Sequence, residues 1–298
     1  MQTNKFPLEE RVQTSHAELA GSFWPNTGSK GVVLLPGISE YRSSFEPLAS
    51  KLRDEFNVWA FDINGQGASS GIWRPDQMVD SVSQLLKQLR ADYELEGLGV
   101  AGNSVGGVTA GIVAAKQPRL VDALALLSAP AGLQDVTPIA RKVLRYTPAR
   151  VLRAATIAFD VFETATNARY QEKTHRDFYT VDGYKPHAQF GATRIHDPKA
   201  FADSITQAPR LDAYASDIHQ PTLAVYGGEA RLFGISKNKL PAVTRQMLAS
   251  IPGLEYTLIA PGADHSLNAQ TPADACWNED PNFAYVSLAV RNHFREFL

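Results

Sequence analysis

At 298 residues, 44% of them hydrophobic and 20% charged, with a formal net charge of −2, the chain can bury a sizeable core in one large α/β domain or two modest ones. That near-neutral balance, without any interleaving of basic and aromatic residues, gives no electrostatic case for nucleic acid as a partner. The single cysteine, Cys276 in "ADACWNEDP", excludes an internal disulfide framework and has no metal or redox partner nearby in sequence, so it reads as an ordinary thiol.

The start, "MQTNKFPLEERVQ", lacks the long apolar core of a signal peptide, and no later stretch is long and apolar enough to span a bilayer. A soluble, cytoplasmic protein is the expectation. "RVQTSHAELAGSFWP" predicts an antiparallel pair leading into a sheet. Short apolar runs then alternate with helical patterns, the sign of a mainly parallel central sheet flanked by helices. The runs are 31–35, 57–63, 97–102, 121–127, 222–227 and 255–260, and helices are expected over 44–55, 76–94, 105–117, 237–251 and 282–297. In the second helix Met78, Val79, Val82, Leu85, Leu86 and Leu89 recur at helical spacing, which marks a core face.

After the second run comes "FDINGQGASSG". Its G-x-G does not open a helix, because "GASSGIWRPD" follows, so no row of amides would face a pyrophosphate and the turn reads as structural. After the third run comes the most informative stretch, "GLGVAGNSVGGVTAGIVAAK". A strand runs into Gly102-Asn103-Ser104-Val105-Gly106, and a helix of small residues follows at once: a G-x-S-x-G sequence in the strand–turn–helix context that the motif requires. Such a sharp turn strains the serine backbone and projects its Oγ above the sheet, while flanking glycines let strand and helix approach. The Val105 amide, at a helix N-terminus, is placed to stabilise a developing oxyanion.

The alternation breaks between 132 and 218. This stretch is helix-like and rich in aromatics (Tyr146, Phe159, Phe162, Tyr170, Phe178, Tyr179, Tyr184, Phe190), and it is too long for a connection between strands. It predicts a helical cap over the carboxyl edge of the sheet, dividing the chain into a core of 1–131 and 219–298 and a cap of 132–218. Within it Arg141, Lys142, Arg145, Arg150 and Arg153 lie without an acid between them; a solvated helix face is the preferred reading, and contact with an anionic membrane surface the sharper one. Further on, "TLAVYGGEARLFG" ends a strand with two glycines, Glu229, Ala230 and Arg231. Last comes "YTLIAPGADHSL". A serine hydroxyl needs a base, and of the seven histidines only His265 lies in a short polar loop just past a sheet strand.

In order and over nearly the whole length, four segments resemble the α/β-hydrolase fold, within it the serine hydrolases that include monoacylglycerol lipases and carboxylesterases. "GVVLLPGISEYRSSFEPLASKL" is similar to the first strand, oxyanion loop and first helix. "FDINGQGASSG" is similar to a D-x-x-G-x-G-x-S turn through Asp62, Gly65, Gly67 and Ser69. "AGNSVGG" is similar to the nucleophile elbow, and "APGADHSL" to the loop carrying the catalytic histidine. The resemblance implies Ser104 as nucleophile, His265 as general base and then acid, and the amides of Ile38 and Val105 as the oxyanion hole. Where many relatives carry His-Gly in the oxyanion loop, this chain has Pro36-Gly37, a change that leaves the Ile38 amide available.

The resemblance also implies a triad acid four positions into the loop that begins at Gly227, and that position is Ala230. Three arrangements stay open. Glu229 supplies the acid from one residue away; Asp135, after "LALLSAPAG", supplies it from another strand end; or the acid is absent. Asp264 adjoins His265 and points away from its ring, and Arg231 cannot serve as an acid. The resulting expectation is a hydrolase of lipid-like or aromatic carboxylic esters acting through an acyl-enzyme on Ser104, with no metal or organic cofactor. The alternatives are a thioesterase, a carbon–carbon bond hydrolase, or an impaired member that binds an apolar ligand beneath the cap.

Overall fold

The computed structural model describes residues 7–38, 40, 42–135, 208–228, 230, 234, 235, 237–261, 263, 267 and 281–298. Its centre is an eight-stranded sheet: β1 (Leu8–Gln13), β2 (Glu18–Trp24), β3 (Lys30–Leu35), β4 (Asn57–Phe61), β5 (Gly97–Asn103), β6 (Ala123–Leu127), β7 (Thr222–Gly227) and β8 (Leu254–Ala260), in the spatial order β1-β2-β4-β3-β5-β6-β7-β8. The first two strands are the expected antiparallel pair, and β2 meets β4 antiparallel. From β4 to β8 every pairing is parallel.

The parallel strands β4, β5, β6 and β7 are buried throughout, which is why they read as continuous apolar runs rather than alternating ones. Alternate residues of β3 face opposite layers. Val33 and Leu35 join the core beneath α2 (Pro75–Asp92) and α3 (Val105–Lys116); Val32 and Leu34 join the core beneath α1 (Glu46–Leu52) and α5 (Pro281–Phe297). The short helix α4 (Ala242–Ala249) adds Met247 and Leu248 to the first of these cores. The whole predicted core face of the second helix, Met78 through Leu89, is buried there.

Of the expected cap, residues 136–207 lie outside the described residues, including its aromatic and basic positions. The return from it is described. Ala208, Leu211, Ala215 and Ile218 are buried against the α3 layer, with the Leu211 and Ile218 side chains beside Gly111. By their packing, these residues from within the expected 132–218 segment join the core. Among the described residues no helix is long and apolar enough to cross a membrane.

Candidate active site

β3, β5, β6, β7 and β8 all end at one edge of the sheet, so the loops that follow them share that edge. β5 ends at Asn103, and α3 begins at Val105, leaving Ser104 alone in the turn. Ser104 has φ 50° and ψ −116°, a left-handed conformation that costs a non-glycine residue on the order of 1–3 kcal/mol. Two backbone bonds hold it there: its N–H donates to the Leu127 carbonyl (2.8 Å), and its carbonyl accepts from Val108 N–H (3.0 Å). Two residues beyond Ser104 only glycine fits, because a Cβ on Gly106 would collide with the Leu35 carbonyl and lie 2.6 Å from that of Pro36. The strand–helix contact therefore explains the motif's second glycine. Ser104 is 5% exposed, and Val105 places the first amide of α3 beside it, an amide without an intrahelical acceptor.

The loop after β3 lies against this elbow. A Cβ on Gly37 would sit 3.2 Å from Ser104 Cβ, and the half-buried Ile38 rests its side chain on the core. Glu40 N–H donates to the Gly37 carbonyl (3.3 Å), which folds Glu40 back on the start of the loop. The Glu40 carboxylate accepts from Gly37 N–H (2.6 Å) and, with its other oxygen, from Asn103 Nδ2 (2.7 Å). Fully buried Gln66 donates through Nε2 to the carbonyls of Gly37 (2.8 Å) and Glu40 (2.6 Å). Sequence reasoning did not single out Glu40, Asn103 or Gln66. The one local signal was an acid three residues beyond a glycine, able to fold back on that glycine's amide.

Gln66 is delivered by the turn that the sequence marked as structural. Asp62, 1% exposed, accepts from Arg42 N–H (2.8 Å), Arg42 Nη1 (3.3 Å) and Ala68 N–H (3.0 Å). Burial pushes its carboxyl upward, and these donors, above all the Ala68 and Arg42 amides, oppose that shift. Gly67 has φ 59°, and a Cβ there would strike the Asp62 carboxylate. The Ser69 hydroxyl donates to the Asp62 carbonyl (2.7 Å) and accepts from Ala20 N–H (2.9 Å), tying the turn to β2.

Beyond β7, Gly228 N–H donates to the carbonyl of Ala260, the last residue of β8 (2.9 Å), so the loop of the expected acid and the loop of the expected base start from one joined pair of strand ends. Ala230 is 1% exposed, its N–H donates to the Gly227 carbonyl (3.3 Å), and its carbonyl accepts from Ile235 N–H (3.3 Å). Ala263, two residues before His265, is buried and bonded back to Ala260. Glu229, Arg231, Asp264 and His265 themselves lie outside the described residues, as does Cys276. Asp135, the alternative acid, is gripped by Arg210, whose Nη1 and Nη2 each lie 3.0 Å from one of its oxygens; Arg210 also binds Asp212. This fork joins the two chain positions that flank 136–207 and gives Asp135 a structural use. Among the described residues, no group of three or more His, Cys, Asp or Glu is arranged to hold a metal.

Comparison with known proteins agrees with this architecture. The family model described as "Serine aminopeptidase, S33" matches residues 28–268. The chain is 26% identical over 251 residues to the 2-(acetamidomethylene)succinate hydrolase of Mesorhizobium japonicum, covering 79% of this chain and 81% of that protein. Among solved structures, an esterase from Thermogutta terrifontis superposes with a TM-score of 0.69 at 20% identity, over 97% of this chain and 99% of its own. The structure of an E-2-(acetamidomethylene)succinate hydrolase gives 0.67 at 21% identity, over 97% and 99%. At these identities the structural likenesses show the α/β-hydrolase fold.

Proposed function

The chain belongs to the S33 serine aminopeptidase family, a group of hydrolases with the α/β-hydrolase fold, and from that premise we propose that it cleaves carboxylic esters of lipid-like or aromatic acids through an acyl-enzyme on Ser104. The observation that carries the reading is the backbone of Ser104 itself: a strained serine at a strand–helix elbow, pressed against the Gly37 backbone. Strain of this kind persists only where surrounding structure enforces it, and here strand, helix and oxyanion loop do so together.

In the proposed reaction His265 takes the Ser104 proton as Oγ adds to the ester carbonyl. The oxyanion that forms is held by the amides of Ile38 and Val105. His265 then gives its proton to the departing alkoxide, leaving the acyl-enzyme, and water repeats the sequence to release the acid and restore Ser104. Glu229 is the carboxylate adjacent to the acid position and the proposed orienter of His265. With alanine at 230 the orientation is poor, and turnover is slow rather than absent, because serine, base and oxyanion hole retain part of their effect without the acid.

A second reading is favoured by one comparison. The Mesorhizobium japonicum relative is named for hydrolysis of an acetamido-bearing succinate, which makes an amide of a small acid an alternative substrate for the same machinery. One panel separates these readings: p-nitrophenyl esters of graded acyl length, aryl thioesters and N-acetyl enamides of small acids, each assayed with Ser104→Ala as control. Turnover of esters that falls at least about 10³-fold in Ser104→Ala supports the proposal. Turnover confined to amides supports the second reading. No turnover of any member returns the chain to a ligand-binding role.

A further inference from the structure

The hydrogen bonds around Glu40 do more than close a turn. The oxyanion hole proposed above draws one amide from the loop after β3 and the other from the start of α3, two segments separated by 66 residues of sequence, from Gly37 to Asn103. Their relative position must be fixed to a fraction of an ångström for both donors to reach one oxygen. Glu40 is the side chain that spans them. One carboxylate oxygen takes Gly37 N–H at 2.6 Å, inside the oxyanion loop, and the other takes Asn103 Nδ2 at 2.7 Å, on the residue preceding the nucleophile. Gln66 braces the same turn from behind through the carbonyls of Gly37 and Glu40.

The chemistry of Asn103 points the same way. It is 7% exposed, and among the described residues its Oδ1 is buried without a hydrogen-bond partner. Such an amide is costly to bury, and among the described residues its side chain bonds to Glu40. A carboxylate suits the bridge because it only accepts, so it can take N–H groups from opposite sides at once. We infer that Glu40 is a positioning residue of the oxyanion hole, its carboxylate locking the loop of Ile38 to the elbow of Ser104 and Val105. This rests on the hydrolase reading of Ser104, and it adds a second element to the machinery that the triad and the two amides do not include.

The test uses the full chain and three variants: Glu40→Met, which keeps the length and removes both acceptors; Glu40→Gln; and Asn103→Ala. Each is assayed for ester turnover and for inhibition by an aryl trifluoromethyl ketone, whose serine adduct places an oxyanion in the hole, and by the corresponding alcohol, which forms no adduct. The expected result for Glu40→Met is a loss of roughly 10- to 100-fold in kcat with KM nearly unchanged, and an equal loss of affinity for the ketone but none for the alcohol. Asn103→Ala loses part of this, and combining it with Glu40→Met adds little, because both break the same bridge. Glu40→Gln is rescued to within about threefold, since Asn103 can turn its amide over and accept from the new NH₂ through the oxygen that is idle in the wild type. Unchanged kcat in Glu40→Met, equal losses for ketone and alcohol, full additivity, or a Gln variant as slow as the Met variant each overturn the inference. If Glu40→Met does not fold, Asn103→Ala carries the same kcat and ketone criteria. A wild type that takes no fluorophosphonate on Ser104 removes the hydrolase reading and this inference with it, whereas a reactive wild type with indifferent variants removes this inference alone.

Discussion

Replacing Ala230 by aspartate restores the residue expected at the third station of the triad. Ala230 is 1% exposed and belongs to the core beneath α2 and α3. A carboxylate placed there without a partner would have its pKa raised by as much as 3–5 units, and since it simply stays protonated once that pKa passes 7, at about 1.36 kcal/mol per unit the loss of stability at pH 7 levels off at roughly 4 kcal/mol. Paired with the imidazole of His265, the same carboxylate is compensated, and the cost falls to about 1–2 kcal/mol for the three added heavy atoms. The expected outcome couples two readouts. Ester turnover rises by about 10²–10⁴-fold, the range over which a triad acid acts, while the thermal midpoint drops by only a few degrees, at about 2–4 °C per kcal/mol for a domain of this class. Turnover is measured on the best ester of the panel, and the midpoint by circular dichroism. A folded variant whose turnover is unchanged or lower, with a midpoint lowered by ten degrees or more, refutes the reasoning: the aspartate would then be buried away from His265, and the acid would lie elsewhere.

Two predictions concern stability against pH, in windows that overlap only between about 4 and 4.5. His293 on α5 is 4% exposed beside Phe294 and Phe297, and among the described residues neither ring nitrogen makes a hydrogen bond of good geometry. Burial lowers its pKa to about 4, an effect that the nearby Pro221 and Leu124 backbone offsets only in part. The folded state therefore holds the neutral ring, and stability of roughly 3 kcal/mol, full above about 6.5, is lost as pH falls toward 4; His293→Leu should flatten that limb in urea unfolding at pH 7 and 4.5, and an unchanged slope would contradict it. Glu55 binds Arg295 and Arg291, and their hydrogen bonds, that of Arg295 first, lower its pKa to about 2 from 4.5. Its contribution is present above 4.5 and disappears as pH falls toward 2, so Glu55→Gln should lessen the fall of the thermal midpoint across that lower window while leaving the His293 window intact.

Much of this architecture was legible in the residues. The buried parallel strands declared themselves as short apolar runs because both of their faces are covered, and the elbow did so because Gly106 meets the Leu35 carbonyl and admits no other residue. Helix ends were less legible. A helix over 237–251 was expected, but α4 runs over Ala242–Ala249. Pro241 stands at its N-cap, while Lys237 and Asn238 take left-handed φ values of 50° and 59°, and Asn238 N–H donates to the Gly228 carbonyl. Those residues build the turn behind the acid station instead of a first helical turn. The Glu40–Asn103–Gln66 frame was not legible at all, since its members come from two loops and a strand end and meet only because β3 lies between β4 and β5 in the sheet. Likewise, nothing in the sequence around Asp135 announced Arg210, 75 residues away, as its partner.

The claim on which the rest depends is that Ser104 is an activated nucleophile, and covalent labelling tests it most directly. The full chain is incubated with a fluorophosphonate, digested, and the adduct mapped by mass spectrometry, with Ser104→Ala alongside. A single phosphonylated peptide is expected, carrying the adduct on Ser104, formed faster in Ala230→Asp than in the wild type and lost in Ser104→Ala. An unlabelled Ser104, under conditions that modify an active serine esterase in the same tube, would contradict that claim.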